Sequence, residues 1–401
     1  MSTPPRIETE ADRVSAPEAP ADAPRTNRWY LSSAPIVSAL LHLCVPMAAA
    51  MIVGAIYNLI NAGFIGSLDN TALLAAVTLG SPILGLVMGV GNVFGVGGGA
   101  LVSRLLGGAE RDPSKAATIK RVASCSLWGS VVVGAAVATG LANLVVVTYF
   151  VVWLTRNSEH VSLSPRWFTL AGSVQKPVLG VGVGTLLQSA FLIVTALVLN
   201  NLAAAYSEGP LAAMGVAVRI AQVPEFLIMG VTIGVLPLLA YSYGKGDGAR
   251  FGSALRASAI TVGAVAALAA TLVLCFRDQV FTLFVADESV LAVGVVVLAA
   301  QLIAMIANGF TGLITSLFQA TGRALPATIM SAAQGVLFIP VVIAGSIWFG
   351  LAGIIWALTV TEVAVLAVGV VLCVALAPAL KRGLAEGNAE RAEEALEMAA
   401  A

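Results

Sequence analysis

Residues 91–108 read GNVFGVGGGALVSRLLGG. Within them Gly95, Gly97 and Ala100 have the G-x-G-x-x-G/A spacing by which dinucleotide-binding folds cradle a pyrophosphate. That fingerprint requires a short buried strand before it and an acidic residue about 20 positions beyond it. Neither is present. The glycines instead interrupt an apolar run that begins near Thr71, and small residues at such depth let neighbouring helices approach closely. The stretch therefore reads as a packing face inside an apolar helix, and the question becomes what surrounds it.

Hydrophobic residues make up 59% of the 401 positions and charged residues 10%, against about 25% charged in an ordinary soluble domain. Apolar runs lie at about 35–66, 71–105, 122–154, 177–205, 211–243, 253–276, 289–320, 326–348 and 352–378. Each exceeds the ~20 residues that cross the hydrocarbon of a bilayer. The expectation is an all-α, polytopic membrane protein with nine hydrophobic segments. About thirty polar residues precede the first, so it is not read as a cleaved signal peptide. Residues 1–29 are rich in proline and charge and are expected to be disordered within a cytoplasmic tail of residues 1–33. Residues 381–401 read as a short solvated helix.

Net charge is zero, so no nucleic-acid partner is implied. Cys44, Cys125, Cys275 and Cys373 fall in four different apolar segments and read as small core residues. His42 and His160 stand far apart, which leaves almost no raw material for a metal or histidine enzyme. The chain is read as a non-enzyme without a cofactor.

The glycine-rich stretch recurs. Leu74-Ala75-Ala76-Val77 and Leu211-Ala212-Ala213-Met214 stand 137 positions apart, and the same offset carries Gly97 to Gly234 and Gly107 to Gly244. Each unit starts with an apolar helix that contains a proline, Pro46 or Pro177. Two copies of one helical unit imply a transporter-like architecture, with the substrate between the halves. The halves are drawn at 34–160 and 161–380.

The strings PMAAAMIVGAIYNLINAGFIG (46–66), LLAAVTLGSPI, GVGGGALVSRLLG (95–107), NNLAAAY (200–206) and LAAMGVAVRI (211–220) resemble the multidrug and toxic compound extrusion family over roughly residues 38–378. The resemblance implies two six-helix bundles around a cleft and export of organic cations in exchange for H+ or Na+. Twelve helices are expected of the family, so three spans are absent from the first half. Segment 122–154 looks like the start of the family's third helix joined to the end of its sixth, with the junction between Ser130 and Gly140. At 33 residues, about 50 Å of helix, it is too long for one upright span and barely long enough for two.

Loops around Arg111, Lys176, Lys245 and Arg323 and the stretch at Lys381 and Arg382 hold the basic residues, so these loops and both termini are expected in the cytoplasm of a multi-pass plasma-membrane protein. Ionisable residues at depth are the best functional clues. Glu225 follows Pro224, which exposes a carboxylate and a freed backbone carbonyl together. Arg219 and Gln222 lie on the same segment, and Glu362 lies ten residues into the last span. Gln188, Gln301, Asn308 and Gln334 read mainly as bonds between helices, with Asn308 kept among the binding candidates. Where many family members have an Asp in the first helix, Asn61 stands here, so the resemblance places coupling on Glu225 or Glu362.

The expected function is a monomeric antiporter that exports small organic cations and touches membrane lipid. A flippase of lipid-linked sugars from the same superfamily would need several central basic residues, and Arg219 alone qualifies. The third reading is a non-transporting remnant of such a transporter.

Overall fold

The computed structural model describes residues 27–66, 71–109, 115–136, 171–204, 208–282 and 288–400. The described elements are helices: α1 (Asn27–Ser32), α2 (Ile36–Gly66), α3 (Thr71–Ala109), α4 (Lys115–Ala136), α5 (Gly172–Ala204), α6 (Glu208–Lys245), α7 (Gly248–Cys275), α8 (Arg277–Thr282), α9 (Glu288–Ala320) and α10 (Ala324–Ala400). Seven of them, α2, α3, α5, α6, α7, α9 and α10, are long and apolar enough to cross a membrane. The last counts twice. At Gly350 the backbone turns to φ 58°, ψ −134°, and a β-carbon on Gly345 would come within 2.8 Å of the Gly353 carbonyl oxygen. Residues 324–349 and 351–400 are thus two arms of a hairpin, and only glycine adopts that backbone without strain. Trp348 and Phe349 project from the turn, 76% and 70% exposed, as aromatic residues do at a membrane–water interface.

These eight crossings agree with eight of the nine expected segments. The ninth begins as α4, and its course beyond Ala136, with most of the proposed junction at 130–140, lies outside the described residues.

The repeat is real and reciprocal. α3 and α6 begin at Thr71 and Glu208, the same 137 positions apart. The second helix of each unit packs on the first helix of the other: α3 runs along α5, and α6 along α2. At Gly97 a β-carbon would collide with the carbonyl of Val178, and at Gly234 it would meet the backbone of Cys44 at 2.7 Å. Near their C-terminal ends α3 and α6 touch directly. Gly107 leaves room for the carbonyl of Tyr241, and Gly244 leaves room for the carbonyl of Arg104, so each contact is the image of the other. The packing reading of residues 95–100 therefore holds at Gly97 and Gly98, the latter against Ser126, but not at Gly95 or Gly99, which face open space.

α6 is the most buried span. It contacts α2, α3, α7 and α9, and Val235, Leu238, Leu239, Ala240 and Tyr241 along it are all within 1% of complete burial. It ends where the sequence requires. Gly246, at φ 70°, donates from its N–H to the Tyr243 carbonyl while Asp247 donates to that of Ser242. This is the paired closure that glycine favours after a helix. Asp247 then caps α7, its side chain accepting from the backbone N of Arg250 at 2.9 Å.

Arg250 explains one departure from the expected order. Residues 27–29 fall in the stretch expected to be disordered, yet Asn27 begins α1. The guanidinium of Arg250 donates to the carbonyls of Leu31, Ala34 and Tyr30 at 2.8, 2.9 and 3.0 Å, satisfying the orphan acceptors at the end of α1 and clamping it to α7. At the other terminus the expected helix is present through Ala400, as a continuation of α10 rather than a separate element. Of the cysteines read as core, Cys44 and Cys125 are buried, but Cys275 is exposed, because it closes α7 beside the equally exposed Phe276.

The glycine contacts make an opposed pair of expectations. Gly244→Ala puts a methyl group into the α3–α6 crossing and should destabilise the purified protein by about 1–3 kcal/mol, the usual cost of overpacking. Gly95→Ala meets nothing and removes a flexible residue from a helix, so it should raise stability by about 0.5–1 kcal/mol. Thermal unfolding in detergent measures both, and equal effects would contradict the packing described.

Candidate functional site

In the candidate spans among the described residues the carboxylates are Glu225 and Glu362, and they come from different helices. Glu225 lies midway along α6, immediately after Pro224. Proline has no N–H, so the Ile220 carbonyl lacks its helical donor at that level. The Glu225 side chain is exposed. Glu362, on the second arm of α10, is 1% exposed. The two carboxylates are near enough for their charges to interact.

Glu362 is held by one specific partner. Gln334, on the first arm of α10, donates from Nε2 to Glu362 Oε1, while Oε2 is buried without a hydrogen-bond partner. The hairpin at Gly350 creates this pairing by folding the two arms of α10 together. A further tie orients the arm: Thr359 donates to the Ala300 carbonyl of α9 at 2.8 Å, and Ser316 of α9 donates to the Thr232 carbonyl of α6 at 3.2 Å. α9 is thus the spacer that sets α6 and α10 at their separation. A carboxylate with one lone, unsatisfied oxygen in a protein interior is an open coordination position for a proton or a small cation.

The remaining candidates are less concentrated. Gln222 is half-buried on α6, one helical turn before Glu225, and Asn308 is half-buried on α9. Arg219 and Asn61 fall on α6 and α2, and their side chains lie outside the described residues. Gln334 acts as the interhelical bond expected of it. Sequence reading missed that its partner is the carboxylate, because residues 28 positions apart meet only through a hairpin. It also passed over Thr311, whose hydroxyl on α9 is buried without a partner; nothing in the sequence marked it.

A separate crevice of about 390 Å³ opens between α2, α6 and α7, lined by Leu40, Cys44, Ala48, Val231, Ala257 and Val265 among others. Its walls are apolar and include neither carboxylate, so it is distinct from the ionisable site.

The MatE family model matches residues 181–344, from α5 through the first arm of α10. The multidrug export protein MepA of Staphylococcus aureus strain MRSA252 is 26% identical over 423 aligned positions, covering 83% of this chain and 92% of that protein. The same protein of Staphylococcus haemolyticus strain JCSC1435 is 26% identical over 418 positions, with the same coverage. The chain is therefore similar to the MATE family in both comparisons. Its long apolar helices make it a multi-pass membrane protein. The fold agrees with solved MATE structures: one described as a MATE in complex with MaL6 has a TM-score of 0.75 at 17% identity and covers 89% of this chain and 99% of that one. A transporter from Pyrococcus furiosus, described as a member of the MOP superfamily whose binding pocket has reversed polarity, has the same score, identity and coverage. Because 83% of 401 residues is about 333, the 423-position alignment leaves about 90 positions opposite gaps in this chain. That is about the length of three MATE spans with their loops.

The Gln334–Glu362 pair is open to test by single and double substitution. Gln334→Leu strands a buried carboxylate and should cost about 1–3 kcal/mol, whereas Gln334→Leu with Glu362→Leu removes both partners and should recover most of the loss. Thermal unfolding of the three proteins would contradict the pairing if the double substitution were the least stable.

Proposed function

We propose that this chain is a MATE-family secondary active exporter of lipophilic organic cations, driven by inward movement of H+ or Na+. The observation that carries the reading is the approach of Glu225 and Glu362 within the C-terminal half, in spans where the described residues offer no other carboxylate. Two anionic groups in range of each other repel, and a single bound cation relieves that repulsion whether it is a proton, a sodium ion or the substrate. Binding of one therefore opposes binding of another, which is the coupling that exchange requires. Glu225 meets the cargo, being accessible, with the freed Ile220 carbonyl as a second oxygen on the same turn. Glu362 tunes the charge behind it. The first half, with Asn61 where an Asp is common in the family, contributes no titratable group at the corresponding place.

The protein acts without a cofactor and as a monomer. It lies in the plasma membrane with both termini and the loops at Arg111, Lys176, Lys245 and Arg323 in the cytoplasm, as their shared Lys and Arg content requires. In a cysteine-free background, single cysteines at positions 245 and 381 should resist an impermeant thiol reagent on intact cells. Labelling from outside would invert the orientation.

Reconstituted into vesicles with an imposed proton or sodium gradient, the protein should move ethidium. Glu225→Gln keeps the size and hydrogen bonding of the side chain but removes its charge, so gradient-driven transport should fall at least about tenfold with protein yield unchanged. Glu362→Gln should have a smaller effect. Equal transport by Glu225→Gln would remove Glu225 from the mechanism. Failure of the unmodified protein under either gradient would instead favour the non-transporting remnant, for which the gap of about 90 positions speaks.

A further inference from the structure

Arg104 and Arg323 are far apart in sequence, and Arg104 packs on the turn that carries Arg323. Arg104 lies in α3 three residues before Gly107, where α3 touches α6. Its guanidinium lies against the backbone of Gly322 in the turn between α9 and α10 and within electrostatic range of Tyr243 on α6. The hydroxyl of Tyr243 in turn contacts Gly383 on the second arm of α10. The turn itself is fixed. Gly322, at φ 72°, donates to the Gln319 carbonyl and Arg323 donates to that of Phe318, the same closure that ends α6. This geometry sets Arg323 on the turn against which Arg104 packs.

Neither guanidinium forms an ion pair among the described residues. Nε of Arg323 is buried with no hydrogen-bond partner. Asp247, in the neighbouring turn, is engaged as the cap of α7. A buried guanidinium nitrogen without an acceptor is uncommon in proteins, and the planar fork of arginine matches phosphate oxygens two at a time.

Exposed apolar residues extend from this point. Leu325, Ile329, Val336, Ile343 and Ile347 are 72%, 38%, 58%, 47% and 73% exposed, and their spacing of four and seven puts them in one stripe down the first arm of α10. A ligand that fits both features has an anionic phosphate and a long hydrocarbon chain. We propose that Arg104 and Arg323 bind the phosphate of an anionic phospholipid whose acyl chain lies along the Leu325–Ile347 stripe.

The test titrates the purified full-length protein in detergent with phosphatidylglycerol, phosphatidylcholine or inorganic phosphate and follows thermal unfolding. Phosphatidylglycerol should raise the unfolding temperature in a saturable way and phosphatidylcholine should not. Arg323→Gln and Arg104→Gln should each raise the half-saturating phosphatidylglycerol concentration about tenfold, whereas Arg323→Lys should lose less, because charge remains but the fork does not. Arg323 stands on a turn, so its substitution remains informative if Arg104→Gln does not fold. An equal response to both lipids, or an undiminished phosphatidylglycerol response in Arg323→Gln, overturns the site. Stabilisation by inorganic phosphate to the same extent shows a free-anion site and overturns the lipid assignment.

Discussion

The approach of α3 and α6 backbone to backbone, through Gly107 and Gly244, is the constraint on which the rest of the structure depends. In a bilayer no hydrophobic force drives one apolar helix onto another, so close packing has to supply the association. Two glycines related by the repeat each admit the other helix's carbonyl oxygen. Once the two second helices are joined there, the first helices are placed as well, α2 along α6 and α5 along α3. The halves are therefore exchanged partners rather than separate bundles laid side by side. The first half is held in place because much of its contact is with the second.

That exchange also explains where chemistry can reside. α6 is central and well covered, so a carboxylate on it is framed by helices on several sides. α9 hydrogen-bonds to α6 on one side and to α10 on the other, through Ser316 and Thr359. The first half has no comparable frame among the described residues: the outer face of α2 leaves Leu41, Val45 and Val53 between 56% and 65% exposed. Apolar exposure of this kind is tolerated in lipid, but a charge would not be.

The architecture was legible in the sequence because it rests on periodic and local signals. Lengths of apolar runs gave the spans, the offset of 137 gave the repeat, and the missing acidic residue after GVGGGA separated helix packing from nucleotide binding. Turn glycines at 246 and 322 fell between apolar runs, where a helix must stop. The site was half legible. A glutamate beside a proline at mid-depth marks itself, but Gln334 and Glu362 meet only because Gly350 reverses the chain. Arg104 and Gly322 meet only through packing between helices far apart in sequence. The capture of α1 by Arg250 was equally invisible, because an arginine three residues beyond a helix cap reads as ordinary surface charge until its three carbonyl acceptors are seen.

The hairpin at Gly350 has a mechanical consequence. From residue 351 the second arm of α10 continues as helix to residue 400, about 75 Å of contour at 1.5 Å per residue, more than twice the ~30 Å of hydrocarbon. Such an arm is a lever whose fulcrum lies in the membrane beside Glu362. From there to the tip is about 57 Å of helix at 1.5 Å per residue, so a tilt of 10° displaces the tip by about 10 Å, and a rearrangement too small to see around one carboxylate becomes a large sweep at the C-terminus.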